Sequence, residues 1–259
     1  VGLNLADFSK NSFGYVFPDP FDSNGLRSFV IWKIHYGKHS GHFWIATMDG
    51  LEEMILTADA RPAGIYRLPA RFIHHAGSKQ NPMPCNNIWD VYEDEAGRVW
   101  IASNCGLTIY QPTSKTYENY RFDATDPASL SAKAVKCICR DSKNRMWFGT
   151  EGGGVNLFLE KEKKFEHFRQ KDGLPSDVIW GILEDNSGCL WISTSLGLSK
   201  FDPEKKKFKT YGYTEGFQSD IFNRGAYYKD ADGNMYFGGS NGLNIFNPSD
   251  IKDHPKKPK

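Results

Sequence analysis

The residues that first invite a chemical reading are seven histidines, five cysteines and a set of regularly spaced acids. His35, His39 and His42 stand as H-x3-H-x2-H, a spacing that could present ligands from one face of a helix. Gly37 and Gly41 interrupt it, so the three are expected to straddle a hairpin and diverge. Asp94, Asp141, Asp185 and Asp230 resemble a calcium pattern at first sight. Each opens a tight turn, where an aspartate bonds its own backbone and the following glycine supplies a positive φ. Cys137-Ile138-Cys139 lies in an apolar run that reads as a strand, which puts both thiols on one side. No zinc spacing appears, and all five cysteines (Cys85, Cys105, Cys137, Cys139, Cys189) are expected to be free structural thiols. There is no GxSxG-type nucleophile motif and no carboxylate pair with a compelling partner. The expectation is a non-catalytic region with no cofactor and no metal.

What positions these residues is a repeat. Gly188–Leu198, around Trp191, recurs with variations as Gly41–Leu51 around Trp44, Gly97–Leu107 around Trp100, Asn144–Val155 around Trp147 and Gly233–Leu243 around Tyr236. The anchors fall 56, 47, 44 and 45 residues apart. Further aromatics keep the same count from the glycine that opens the next strand: Tyr110, Phe158, Phe201 and Phe246, then Tyr117, Phe165 and Phe208, then Tyr120, Phe168 and Tyr211. Each repeat reads as four short strands. In the fourth they are Asp177–Glu184, Cys189–Thr194, Leu198–Asp202 and Phe208–Tyr213, separated by turn clusters rich in Gly, Asp, Asn and Pro. The first repeat is looser: residues 57–64 insert about four positions, and its last strand is expected at Ile65–Phe72.

Four-stranded units of this period define a β-propeller. The fold class expected is all-β, a partial ring of about five and a half blades. The blades run approximately 1–17 (a half), 26–72, 86–122, 130–170, 174–213 and 217–248, with 252–259 a polar linker towards a following domain. Counting from Gly2, the chain opens on the third strand of a repeat, and the last repeat lacks its fourth, so the sequence is expected to be a piece of something larger.

Composition narrows the partners. With 32 basic and 31 acidic residues the formal net charge is +1, which lacks the electrostatic footprint of a nucleic-acid binder. No apolar run approaches the ~20 residues that span a bilayer. Aromatic content is 14% with seven Trp, enough both for buried β-structure and for surfaces on which a ligand stacks.

The segment Gly173-Leu174-Pro175-Ser176-Asp177-Val178-Ile179-Trp180, followed by Glu184-Asp185-Asn186-Ser187-Gly188-Cys189-Leu190-Trp191-Ile192-Ser193-Thr194, resembles the two-component regulator propeller family. The Asp-x-x-Gly-x-(Leu/Val)-Trp-Ile part returns at Asp94–Ile101, whereas Asp141–Phe148 departs from it with Asn144 for glycine. His35-Tyr36-Gly37 stands where Glu-Asp is expected, and the third repeat has Arg140-Asp141. The end, Phe237–Pro248, resembles the last blade before the β-sandwich that follows such propellers. The resemblance implies the periplasmic, extracytoplasmic sensor part of a hybrid histidine kinase. Its expected partners are an oligosaccharide ligand, the remaining blades and β-sandwich of the same protein, and a second copy in a homodimer.

On a propeller the first strand of each blade starts near the mouth of the channel. Aligned on the following turn, that position carries Trp32, Trp89, Lys136, Trp180 and Gly225. Indole rings there could stack on sugars; packing between blades is the alternative. The loops that open on the same face carry Asp22, Asn24 and Arg27, Asn86 and Asn87, Asp126 and Ser129, Ser176 and Asp177, and Gln218, Asp220, Asn223 and Arg224. Arg224 falls where other blades have an apolar residue, and its planar fork suits a uronate or sulfate. The candidate ligand-binding set is therefore Arg224, Asn223, Trp180, Trp89, Trp32, Asp177, Arg27 and Lys136. Two other functions remain open: a polysaccharide-active propeller lyase or glycosidase, and a protein-interaction propeller.

Overall fold

A computed structural model describes residues 2–7, 12–19, 21–22, 24–56, 70–75 and 83–251. Its regular structure there is 21 strands and three single turns of 3-10 helix. The chain divides into two compact units, Val1–Ile138 and Cys139–Lys259.

In the first unit β1 (Leu3–Asp7) and β2 (Ser12–Val16) form an antiparallel hairpin. Blade one is β3 (Ile31–Tyr36), β4 (Phe43–Thr47), β5 (Gly50–Leu56) and β6 (Ala70–His75). Blade two is β7 (Ile88–Glu93), β8 (Val99–Ser103), β9 (Gly106–Gln111) and β10 (Thr116–Tyr120). A sheet of order β11 (Val135–Arg140), β12 (Met146–Thr150), β13 (Val155–Leu159) and β14 (Lys164–Phe168) follows as blade three. In the second unit, blade four is β15 (Ile179–Glu184), β16 (Leu190–Thr194), β17 (Gly197–Asp202) and β18 (Lys207–Tyr211). Blade five has three described strands, β19 (Phe222–Lys229), β20 (Met235–Gly239) and β21 (Gly242–Phe246). The all-β propeller class expected from the repeat is what the structure shows. One expectation for blade one changes. Its fourth strand runs to His75, three residues past Phe72, while residues 57–69 lie outside the described residues. The linker 252–259 also lies outside them.

The repeated tryptophans are the core. Trp44, Trp100, Trp147 and Trp191 are at most 1% exposed. Trp191 stacks on Tyr211 of its own blade and meets Phe246 of the next, with ring centroids 5.3 and 4.9 Å apart. An indole N–H buried this deeply needs an acceptor, and the turn acids supply it. Trp100, Trp147 and Trp191 donate to Oδ2 of Asp94, Asp141 and Asp185, six residues back, at 2.8–2.9 Å. The other oxygen, Oδ1, takes backbone N–H groups two and four residues on; in Asp185 these are Ser187 and Cys189. Tyr236 repeats the contact to Asp230 through its hydroxyl, at 3.0 Å. The acids that looked like calcium ligands are thus acceptors within their own turns.

Blade one lacks this acid, because Gly37 occupies the place. Trp44 donates instead to Oε2 of Glu93, at the end of the first strand of blade two. A Cβ on Gly37 would collide with that carboxylate, so glycine is needed here for space. His35, His39 and His42 do diverge. The ring of His35 packs on Tyr92, His39 lies against Gly97, and His42 Nδ1 meets Glu53 Oε1 at 2.5 Å.

Candidate functional site

The first strand of three blades carries the same irregularity, and the candidate tryptophans sit in it. In blade one Ile31 pairs with Thr47 and Lys33 with Ala46, leaving Trp32 as one extra residue against an unbroken partner. Blade two repeats this at Trp89, between Ile88↔Ser103 and Asp90↔Ala102. Blade four repeats it at Trp180, between Ile179↔Thr194 and Gly181↔Ser193. A β-bulge kinks its strand and re-aims the extra side chain. Here it turns a tryptophan out of the alternating pattern while the flanking Ile31, Ile88 and Ile179 keep facing inwards.

Blade five corrects the alignment made on the turn. Phe222 pairs with Gly239 and Tyr227 with Phe237. Phe222 therefore takes the place of Ile179, and Gly225 and Arg224 are no direct substitutes for Trp180 and Ile179. Asn223, Arg224 and Gly225 form an enlarged bulge, with Gly225 at φ +70°. Counting from the turn alone concealed the two additional residues.

Within the first unit the structure brings three of the candidate side chains together and adds Asn104 to them. The Trp32 and Trp89 rings lie 4.8 Å apart, tilted at 45°. Lys136 Nζ stands 3.9 Å from the Trp89 ring centroid, a cation–π distance. Asn104, in the turn between β8 and β9, accepts from Trp89 Nε1 at 2.6 Å and from Lys136 Nζ at 3.3 Å. Trp32 is 38% exposed, Trp89 half-buried and Lys136 5% exposed. Three consecutive blades thus contribute to one aromatic surface with an ammonium beneath it. Arg27 is exposed on the loop before β3, and its charge acts on Glu52.

In the second unit the arrangement differs. Trp180 packs against the buried cluster that holds Trp191, Tyr211 and Phe217, the inter-blade alternative considered from the sequence. Asn223 and Arg224 are exposed. Partial burial lowers the Arg224 pKa, and the charge of Glu151 opposes that effect. Asp177 has a scaffold function: its Oδ1 accepts from Gln170 N at 2.7 Å and its carbonyl from Gly152 N and Gly154 N. Asp220 accepts from Tyr213 N and, through its carbonyl, from Gly197 N in the same manner.

In four of the five blades the loop before the first strand is clasped to the turn between strands two and three. In blade four Ser176 Oγ meets Ser195 Oγ at 2.8 Å, and in blade five Ser219 Oγ meets Ser240 Oγ at 3.2 Å. In blade one Ser28 Oγ donates to Asp49 Oδ2 at 2.7 Å. In blade two the clasp is a disulfide, Cys85–Cys105, with Cα atoms 5.7 Å apart. This corrects the expectation of five free thiols. The two cysteines are 20 residues apart on different segments, and only the blade geometry brings them together; Cys137, Cys139 and Cys189 take part in no disulfide among the described residues. Asn104 and the disulfide were the site features missed from sequence. Their signal was the equivalence of Cys85 with Ser28 and Ser176, four residues before each bulge tryptophan.

A β-propeller with a loop-end aromatic cluster is the class these features define. Within that class the chain carries the repeat of the two component regulator propeller family, whose profile matches residues 82–105, 129–152 and 173–195. The extracellular domain of the putative hybrid two component system BT3049 from B. thetaiotaomicron is similar at 26% identity and a TM-score of 0.71. That alignment covers 95% of this chain and 33% of the other. A histidine kinase named P4 from Formosa agariphila is 25% identical over 169 residues, 64% of this chain and 12% of the kinase. Virginiamycin B lyase from Staphylococcus aureus shares the fold, with a TM-score of 0.62 at 12% identity over 94% of this chain and 76% of the lyase. The chain spans about an eighth of the kinase and a third of the solved extracellular domain it resembles. The family resemblance read from the motifs is borne out. The chain is similar to propeller regions of two-component sensors, and no helix among the described residues is long and apolar enough to cross a membrane.

Proposed function

We propose that this chain is a non-catalytic, extracytoplasmic sensing module of a two-component regulator, and that its ligand is an oligosaccharide received at the loop end of blades one to three. The observation that carries the reading is the Trp32–Trp89 pair, held by bulges in neighbouring first strands and backed by Asn104 and Lys136. Sugar rings present apolar faces fringed with hydroxyls. A partly open indole offers the first a stacking surface, and an amide and an ammonium serve the second. The disulfide adds support for a periplasmic location, since such bonds persist in oxidising compartments. In the full-length protein the remaining blades, a β-sandwich and a homodimer contact would pass the signal to a histidine kinase. Binding biases that assembly only as far as the ligand prefers one of its states.

The test is a calorimetric screen of the chain against neutral and acidic oligosaccharides, repeated with Trp32→Ala. Binding weakened at least about tenfold in the variant, with an unchanged melting temperature, is the expected result. Unchanged binding in Trp32→Ala would overturn the site. Cleavage products from any bound glycan would favour the enzymatic reading.

A further inference from the structure

The disulfide stands where blade one has a hydrogen bond between equivalent residues. Ser28 lies three residues before Ile31, as Cys85 lies three before Ile88. Asp49 follows Thr47 by two, as Cys105 follows Ser103. In both blades the clasped turn is also tied to the loop through its backbone: Met48 N donates to Val30 O at 3.2 Å, and Asn104 N to Asn87 O at 3.3 Å. The covalent version occurs in the blade whose turn does something further. Asn104, next to Cys105, holds the Trp89 indole and the Lys136 ammonium at once.

We propose that Cys85–Cys105 is a positioning element for the Trp89 surface. It fixes the Asn104 turn against the loop leading into the bulge, and its reduction releases the indole from its bound orientation. This rests on the reading of Trp32 and Trp89 as a ligand surface, but its consequence for Trp89 does not require a ligand. The chemistry is ordinary thiol–disulfide exchange. A dithiol reductant gives up two electrons and two protons and becomes a disulfide, leaving Cys85 and Cys105 as thiols. The indole hydrogen bond of Trp89 then depends on a turn that keeps its backbone bond to Asn87 O and the bonds of the Ser103 hydroxyl but has lost its covalent tie to the loop.

The experiment uses the whole chain labelled with 5-fluorotryptophan, with the Trp32, Trp89 and Trp180 resonances assigned from single Trp→Phe variants. Treatment with a phosphine reductant, or Cys85→Ser with Cys105→Ser, is expected to shift or broaden the Trp89 resonance and leave Trp180 in place. Exchange of the Asn104 and Cys105 amides should quicken about tenfold as the local clasp opens. Cys85→Ser with Cys105→Asp rebuilds the Ser28–Asp49 clasp of blade one. It should restore the oxidised Trp89 signal and make it insensitive to reductant. A Trp89 resonance unchanged on reduction, or a serine–aspartate variant behaving like the double serine, overturns the proposal. If the double serine variant fails to fold, the reductant titration of the wild-type chain and the serine–aspartate variant still decide it. Failure of oligosaccharide binding with an intact redox response of Trp89 would count against the ligand reading and not against the clasp.

Discussion

Trp44 donates its indole N–H to Glu93 Oε2 at 2.7 Å, from the second strand of one blade to the first strand of the next. The same carboxylate accepts from His39 N and Ser40 N, each at 2.9 Å, through its other oxygen. Where other blades hold their tryptophan with an acid of their own, blade one borrows one. Removing the carboxylate strands three donors at a buried junction. Glu93→Ala is expected to cost about 2–3 kcal/mol in urea unfolding, and Glu93→Gln less. A loss below about 0.5 kcal/mol would show that the donors find other partners.

The pH dependence follows from the same group. Burial works against the charged form of Glu93, but the bonds from Ser40, Trp44 and His39 outweigh it and hold the pKa below the ordinary glutamate value. A carboxylate with a depressed native pKa adds stability above its unfolded value and loses it as pH falls through the native one. Acid unfolding of wild type should therefore be steeper than that of Glu93→Gln in this range, measured by circular dichroism from pH 5 downwards.

Glu52 has the opposite sign. Burial raises its pKa to about 7, against the hydrogen bond and charge of Arg27. Between the unfolded value of 4.5 and about 7 the native state holds the extra proton, so this group's contribution to stability falls as pH rises. Glu52→Gln should remove that slope, so that the variant gains on wild type between pH 5 and pH 8, although it also weakens the contact with His74 Nδ1. Equal stability differences at pH 5 and pH 8 would refute it.

Trp191 is fully buried between two blades. Trp191→Ala should cost about 3–5 kcal/mol by chemical denaturation, because neither blade can collapse into the space. Arg224→Ala should leave the melting temperature unchanged, as Arg224 is exposed in the enlarged bulge. If Arg224 reads an acidic sugar, the same variant weakens binding of uronate-bearing oligosaccharides and spares neutral ones. Unaltered binding of both would remove it from the site.

The fold was legible because its information is periodic. A buried aromatic every 44 to 56 residues fixes where the second strands fall, and the turn acids follow from it. The clasps were not legible, since they join segments about 20 residues apart whose partners change chemistry from Ser–Ser to Ser–Asp to Cys–Cys. Repetition of residue type cannot reveal a position at which only the geometry repeats. Glu93 escaped for a related reason: it compensates for an absence at Gly37, and its partner lies 49 residues away. Trp32, Trp89 and Trp180 were found as a row but not told apart. Whether each ring meets a neighbouring indole or a core cluster is decided by what the adjacent blades present.

A strand paired in strict alternation cannot change length without turning every later side chain to the wrong face. The bulge relaxes that rule at one address in each of blades one, two, four and five, because the residues it holds are outside the ladder. Blade five has three residues there where blades one, two and four have one, and Tyr227↔Phe237, Tyr228↔Tyr236 and Lys229↔Met235 keep their pairing beyond it. Insertions at this address can lengthen or recharge the loop end while the tryptophan core stays in register. The architecture thus separates a part of the sequence whose length can change from the part that must keep the blades folded.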